Sequence, residues 1–207
     1  MEHHPPLNDA TDQQLIGLYR NGHDEAFVHL VQRYQLELFH FLVRFVGDRS
    51  QAEDIFQEAY LQIHLSIDSF DLSRPFKPWL FTIAANKARD YLRKVKQRKV
   101  QPLSATTDGD PDSPQFVDLI DSQIALPSDQ ADLSETQGMV RAVIADLPEH
   151  MREILLLAYF HHVAYKEIAK ALGIPLGTVK SRLHAAVAMF AQAWKARHED
   201  SKDSEPE

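Results

Sequence analysis

Tyr165–His184 reads YKEIAKALGIPLGTVKSRLH, and its spacing predicts two short helices joined by a tight turn. Ile168, Ala169 and Leu172 place an apolar face on the first helix, and Val179, Leu183 and Ala186 recur at helical spacing on the second. Gly173 can take the left-handed conformation such a turn needs, and Pro175 pre-sets the backbone for the next helix. The pattern is that of a helix-turn-helix. Its second helix turns Thr178, Lys180, Ser181, Arg182 and His184 outward, a face of cations and hydrogen-bond donors suited to a major groove. A solvated face on an ordinary helical hairpin is the plainer reading, but core, turn and polar face together favour DNA.

The composition bounds what surrounds this module. With 207 residues, 44% of them hydrophobic, the chain can bury one sizeable core or two small ones. It has no cysteine, which excludes disulfides and thiolate metal sites and fits a reducing compartment. No run of about 18 uncharged apolar residues occurs, and the start of the chain is polar, so a soluble cytoplasmic protein without a membrane span is expected. The net charge of −8 looks wrong for a nucleic-acid binder until it is divided along the chain. Residues 1–100 carry 13 basic and 13 acidic side chains, residues 101–136 carry none and 8, and residues 137–207 carry 9 and 9. The excess acid therefore lies in one middle segment, and each flank can hold a local basic patch.

Upstream of that segment the periodicity is helical throughout. Thr11 and Asp12 open a short first helix that stops at Asn21-Gly22, and Asp24 opens a long one along Phe27, Leu30, Val31, Tyr34, Leu38, Leu42 and Phe45. Ser50 with Glu53 predicts a capping box for a third helix, buried through Ala52, Ile55, Phe56, Ala59 and Ile63. Asp54, Gln57, Glu58 and Leu61 lie on its outward face. Pro75 and Pro78 bracket the first turn of a fourth helix, where proline is tolerated. Leu80, Ala84, Ala88, Tyr91 and Val95 are its predicted buried side. Asn86, Lys87, Arg89, Arg93 and Lys94 lie on its polar side, within a run of seven cations between residues 87 and 99. That density favours nucleic-acid contact, whereas the nearby aromatics, Trp79 above all, read as core.

The predicted architecture is all-α, with two small helical domains, 11–99 and 134–197, joined by a flexible acidic linker, 100–133. Ser134 with Gln137 suggests a cap for the second domain's first helix, and Met151, Ile154, Leu155, Ala158 and Tyr159 a helix packing beneath the helix-turn-helix. His161 and His162, taken as neighbours on a helix, point to different sides and form no metal or catalytic constellation. No catalytic residue, cofactor or metal is expected.

Several stretches, in order, resemble the bacterial RNA polymerase sigma factors of the extracytoplasmic-function type. They include Asp24-Glu25-Ala26-Phe27, Ala52-Glu53-Asp54-Ile55-Phe56-Gln57-Glu58, Pro75-Phe76 with Trp79-Leu80, Ala84-Ala85-Asn86 and Asp90-Tyr91-Leu92-Arg93. Leu147-Pro148, Glu167-Ile168-Ala169 and Gly177-Thr178-Val179-Lys180-Ser181-Arg182-Leu183-His184 continue the series. The resemblance implies core RNA polymerase and promoter DNA as partners and leaves room for an anti-sigma factor. It implies that Asp54, Gln57, Glu58 and Leu61 dock on polymerase. It also implies that the helix from Pro75 opens the minus-ten element, with Asn86 and the loop from Asp68 to Arg74 receiving a flipped-out base, and that the helix-turn-helix reads the minus-thirty-five element. The chain departs from the family after His184, where Ala185-Ala186-Val187-Ala188 stands in place of the usual arginines and reduces the expected phosphate anchoring. The competing readings are a stand-alone helix-turn-helix regulator and a sigma-like interaction protein that binds no promoter.

The linker yields a prediction from reach and charge. Two elements about 70 Å apart, two duplex turns, exceed the roughly 30 Å of a 33-residue free coil but not its extended limit of about 110 Å. The segment must therefore be drawn out along a surface, and its seven aspartates favour a positively charged channel. Replacing all seven by Asn should raise the free protein's DNA affinity at low salt and impair holoenzyme transcription. If neither moves, the segment is only a tether.

Overall fold

The computed structural model describes residues 6–100 and 135–202, all helices and connections with no strand among the described residues. The expected acidic linker and the Ser134 cap lie outside them. Eight α-helices are described: α1 Asp12–Arg20, α2 Asp24–Val46, α3 Arg49–Ser66, α4 Phe76–Val100, α5 Glu135–Asp146, α6 Glu149–Leu155, α7 Tyr165–Leu172 and α8 Leu176–Lys202. They form two compact units, one from the described residues of 1–39 and 53–127, the other from those of 40–52 and 128–207.

The first unit is built on an aromatic and aliphatic core. Thr11 caps α1 through a reciprocal box, its hydroxyl accepting from the Gln14 N–H and the Gln14 side chain accepting from the Thr11 N–H. Leu15 and Ile16 of α1 are buried with Phe27, Leu30, Val31, Leu38 and Phe39 of α2 and Ile55, Phe56, Tyr60 and Ile63 of α3. Phe56 meets Phe39 edge-on at 6.0 Å and Tyr60 at 4.8 Å, pairs worth about 0.5–1.5 kcal/mol each beyond their burial. The Tyr60 hydroxyl donates to the Val31 carbonyl at 3.3 Å, so even the most buried phenol is satisfied, and burial raises its pKa far above the ordinary value. α1 is fastened to α2 at Asp12, which takes Arg33 at 2.7 Å and the Tyr34 hydroxyl at 2.6 Å.

The start of α3 differs from expectation. Its cap is Asp48, whose carboxylate accepts the Gln51 N–H at 2.9 Å, and not Ser50. Gly47, at φ +84°, turns the chain out of α2 so sharply that Asp48 already stands at the cap position.

In the second unit Arg152 is 6% exposed, and its guanidinium donates to the carbonyls of Phe45, Ala145 and Leu147. Two of those acceptors lie at the C-terminal end of α5, where carbonyls lack helical partners. Beyond α6, Leu156–Phe160 forms a π-helical turn. The wider turn shifts the register, burying Leu156 and Leu157 and leaving Tyr159, expected on the packed face, 56% exposed. It also ends the helix early, so His161 and His162 sit in the turn before α7 and not on a helix. His161 is buried with its ring edge-on to Phe41, and His162 is exposed at φ 52°.

Gly173 closes α7 at φ 65°, ψ 31°, with no atom near where a Cβ would stand. Substitution there costs backbone strain without a clash. Gly173→Ala should lower the stability of this unit by about 1–2 kcal/mol, and Gly173→Asn by less. Denaturant unfolding followed through Trp194 in a Trp79→Phe background measures both; equal midpoints for parent and Ala variant would remove the strain argument.

Candidate nucleic-acid interface

The loop after α3 and the first half of α4 together make a cleft. A short 3-10 turn, Ile67–Ser69, ends α3, and the chain then passes Asp71, which accepts the Ser73 N–H at 2.9 Å, to Pro75. Three rings lock this loop to the start of α4: Phe70 lies 5.7 Å from Phe76 and 4.7 Å from Trp79, and Phe76 lies 5.6 Å from Trp79. Tyr34 reaches Phe76 from α2 at 5.8 Å. The open cleft so formed has about 500 Å³, and Ser69, Phe70, Arg74, Trp79, Asn86 and Lys87 are among its walls. Ligand clefts commonly span about 300–1,000 Å³.

Trp79 therefore departs from the core role predicted for it. Leu80 and Phe81 take the buried positions of that turn, and Trp79 is left half-buried, its ring against Phe70 and Phe76 and part of the cleft wall. Gln62, Ser66, Ile83 and Asp90 also line the cleft, and sequence reasoning did not single them out for it. Their signal was available: residues 79, 83, 86 and 90 recur at helical spacing on one side of α4, and residues 62 and 66 lie one turn apart on α3.

The cations of α4 are held loosely. Arg89 donates to the Asn86 side-chain oxygen, Arg93 pairs with Asp90, and Lys87 lies 3.9 Å from Glu58. Exposed pairs of this kind contribute about 0–1 kcal/mol, so a phosphate can displace them at small cost. Asn86 and Lys87 belong to the cleft, whereas Arg89, Arg93 and Lys94 do not line it; Arg93 and Lys94 are exposed about one turn past Asp90, the last cleft-lining residue on α4. Tyr91 and Val95, expected to be buried, are only half-buried, because the core ends near Ala88.

On α3 the five predicted core residues are all buried. Asp54, Gln57 and Glu58 are exposed and Leu61 half-buried on one outward face.

The helix-turn-helix follows its predicted register. Ile168, Val179, Leu183 and Ala186 are buried, whereas Ala169 and Leu172 are half-buried. The Ile174 N–H returns to the Ala169 carbonyl at 3.1 Å, and the Pro175 carbonyl accepts from the N–H groups of Thr178 and Val179, starting α8. Lys180, Ser181 and His184 are exposed, and Thr178 and Arg182 half-exposed. The Ser181 hydroxyl donates to the Thr178 carbonyl at 3.1 Å. Past His184 the helix continues unbroken, and Val187 and Met189 stand exposed.

Comparison with known proteins matches residues 30–99 to sigma-70 region 2 and residues 137–189 to sigma-70 region 4. The chain is 33% identical over 165 residues to the ECF RNA polymerase sigma factor SigW of Bacillus subtilis, covering 80% of this chain and 87% of that one. It is 33% identical over 180 residues to the RNA polymerase sigma-H factor of Pseudomonas aeruginosa, covering 87% and 92%. Among solved structures, CnrH, solved in complex with the cytosolic domain of CnrY, aligns with a TM-score of 0.63 at 22% identity, over 89% of this chain and 97% of that one. RpoE of Bartonella quintana, solved with the anti-sigma factor NepR, aligns with a TM-score of 0.60 at 21% identity, over 82% and 96%. These structural likenesses speak to the all-α fold, and the curated relatives speak to descent. With two ordered region matches and identity above 30% across most of its length, the chain belongs to the extracytoplasmic-function family of RNA polymerase sigma factors.

Proposed function

We propose a division of labour for a sigma factor that binds core RNA polymerase and directs promoter-specific transcription initiation without being an enzyme. The segment 11–99 docks on polymerase and opens the minus-ten element, and the segment 134–197 holds the minus-thirty-five element. The linker 100–133 spans the distance between them. The setting is the cytoplasm, where RNA polymerase works, and among the described residues no helix is long and apolar enough to cross a membrane.

The cleft carries this reading. An unpaired base entering it meets aromatic rings at Phe70 and Trp79, the amide of Asn86 and the cation of Lys87. Stacking is worth about 1–3 kcal/mol per base, comparable with the few kcal/mol that extruding one costs. An amide offers both a donor and an acceptor to a base edge. Arg89, Arg93 and Lys94 then follow the strand's phosphates along α4.

Asp54, Gln57, Glu58 and Leu61 support polymerase docking because no core contact requires their outward polar groups, and Leu61 offers a partly apolar centre within a polar rim. Thr178, Lys180, Ser181, Arg182 and His184 form the groove-reading face of α8. The exposed apolar stretch at Val187 and Met189 favours weak anchoring past that face. An anti-sigma factor fits as a further partner, as for the Bartonella quintana neighbour solved with one.

Two outcomes test the assignment. Gln57→Lys combined with Glu58→Lys should abolish core polymerase binding while circular dichroism and thermal unfolding stay at parental values; unchanged pull-down affinity would reject the docking face. Lys180→Ala with Arg182→Ala should weaken upstream-element binding by a few kcal/mol and reduce the salt slope by about 2. A slope identical to the parent's would remove both cations from the interface.

A further inference from the structure

Helix α1 puts no side chain into the cleft, yet it grips the loop that walls it at three backbone points. Arg20 Nη2 donates to the carbonyls of Ile67 at 2.6 Å and Phe70 at 2.5 Å, and Gln13 Nε2 donates to the carbonyl of Arg74 at 3.3 Å. Ile67 opens the 3-10 turn, Phe70 follows its last residue, and Arg74 is the last residue before Pro75. The loop is thus clasped at its beginning, at its cleft-lining aromatic and at its end. Arg20 and Gln13 stand two turns apart on one face of α1, so a single rigid element sets all three points.

The rings of Phe70, Phe76 and Trp79 hold one end of the loop to α4, and between Phe70 and Pro75 the tight turn at Asp71 accepts from Ser73 and Arg74. Both bonds leave one nitrogen, Nη2, whose two N–H groups are fixed in the guanidinium plane, so the spacing and direction of the two carbonyls are set together. The brace itself is anchored: Asp12 joins α1 to α2, and the Tyr19 hydroxyl lies 2.8 Å from His64 Nδ1 on α3.

We infer that Arg20 and Gln13 are positioning residues which set the width of the cleft, so that α1 determines which unpaired base is accepted without touching it. This rests on the reading of the cleft as a base site. Moving the Phe70 carbonyl moves the ring that packs against Trp79 in the cleft wall, and with it the gap to Asn86.

The test reconstitutes holoenzyme from core polymerase and full-length protein and transcribes a promoter library randomised across the minus-ten element. Arg20→Lys keeps the charge but replaces the planar, fixed N–H groups of Nη2 by a freely rotating ammonium; Gln13→Ala removes one long bond and serves if Arg20→Lys does not fold. Asn86→Ala alters the cleft directly. Arg20→Lys should lower the preference for the best base at one position on the order of tenfold, equivalent to about 1.4 kcal/mol. Preferences at the upstream element and core polymerase affinity should stay unchanged, while the lost carbonyl bonds lower thermal stability modestly. Uniformly lower transcription with an unaltered preference profile would make Arg20 a stabilising residue only and overturn the inference. If Asn86→Ala changes the profile while Arg20→Lys and Gln13→Ala do not, the inference fails and the base site stands. If Asn86→Ala leaves every preference intact, the base-site reading fails and takes this inference with it.

Discussion

Among the described residues, which are helices and their connections, carbonyls at helix ends and in the connecting loops have no ladder to join, and their fate decides which junctions are rigid. Two arginines each collect more than one such carbonyl, one in each unit. Arg152 collects carbonyls at the end of α5 and at Phe45, and Arg20 collects those on either side of the 3-10 turn. Hydrogen bonds from a charged donor are worth about 1.5–3 kcal/mol each, and a buried carbonyl left bare costs about as much. The apolar stripes hold helices together, but they say little about how a loop leaves one helix and enters the next. Part of that geometry comes from the arginines, and the candidate cleft lies at one such junction.

Much of the helical framework was legible from periodicity alone. The buried face of α3 and the register of α8 follow directly from three- and four-residue spacing, because burial at those positions is a property of the helix itself. Gly173 was legible because a left-handed turn has few other solutions. Arg20 was not, since its acceptors lie 47 and 50 residues away and nothing local distinguishes it from a solvated cation ending a helix. For Arg152 one acceptor, Phe45, lies 107 residues away, although Ala145 and Leu147 are close in sequence.

The remaining misreadings share a cause: an offset of one or two residues changes a role. Asp48 caps α3 in place of Ser50 because Gly47 sets the turn two positions earlier. The π-helical turn rotates Tyr159 outward, which a strict 3.6-residue period does not foresee. Trp79 was assigned to the core by its size, whereas its two neighbours Leu80 and Phe81 occupy that core and leave its ring to the cleft. Size and hydrophobicity thus identified residues that matter without identifying which surface they serve.

The polar face of α8 is short, and its length bounds how much the helix can specify. From Thr178 to His184 the helix rises about 10 Å, the length of roughly three base pairs of duplex. Beyond it Val187 and Met189 offer no donor or acceptor. If each base pair were read without ambiguity it would convey two bits, so three would single out about one site in 64 of random sequence. If this helix reads an upstream element, its polar face alone can therefore distinguish only a few base pairs.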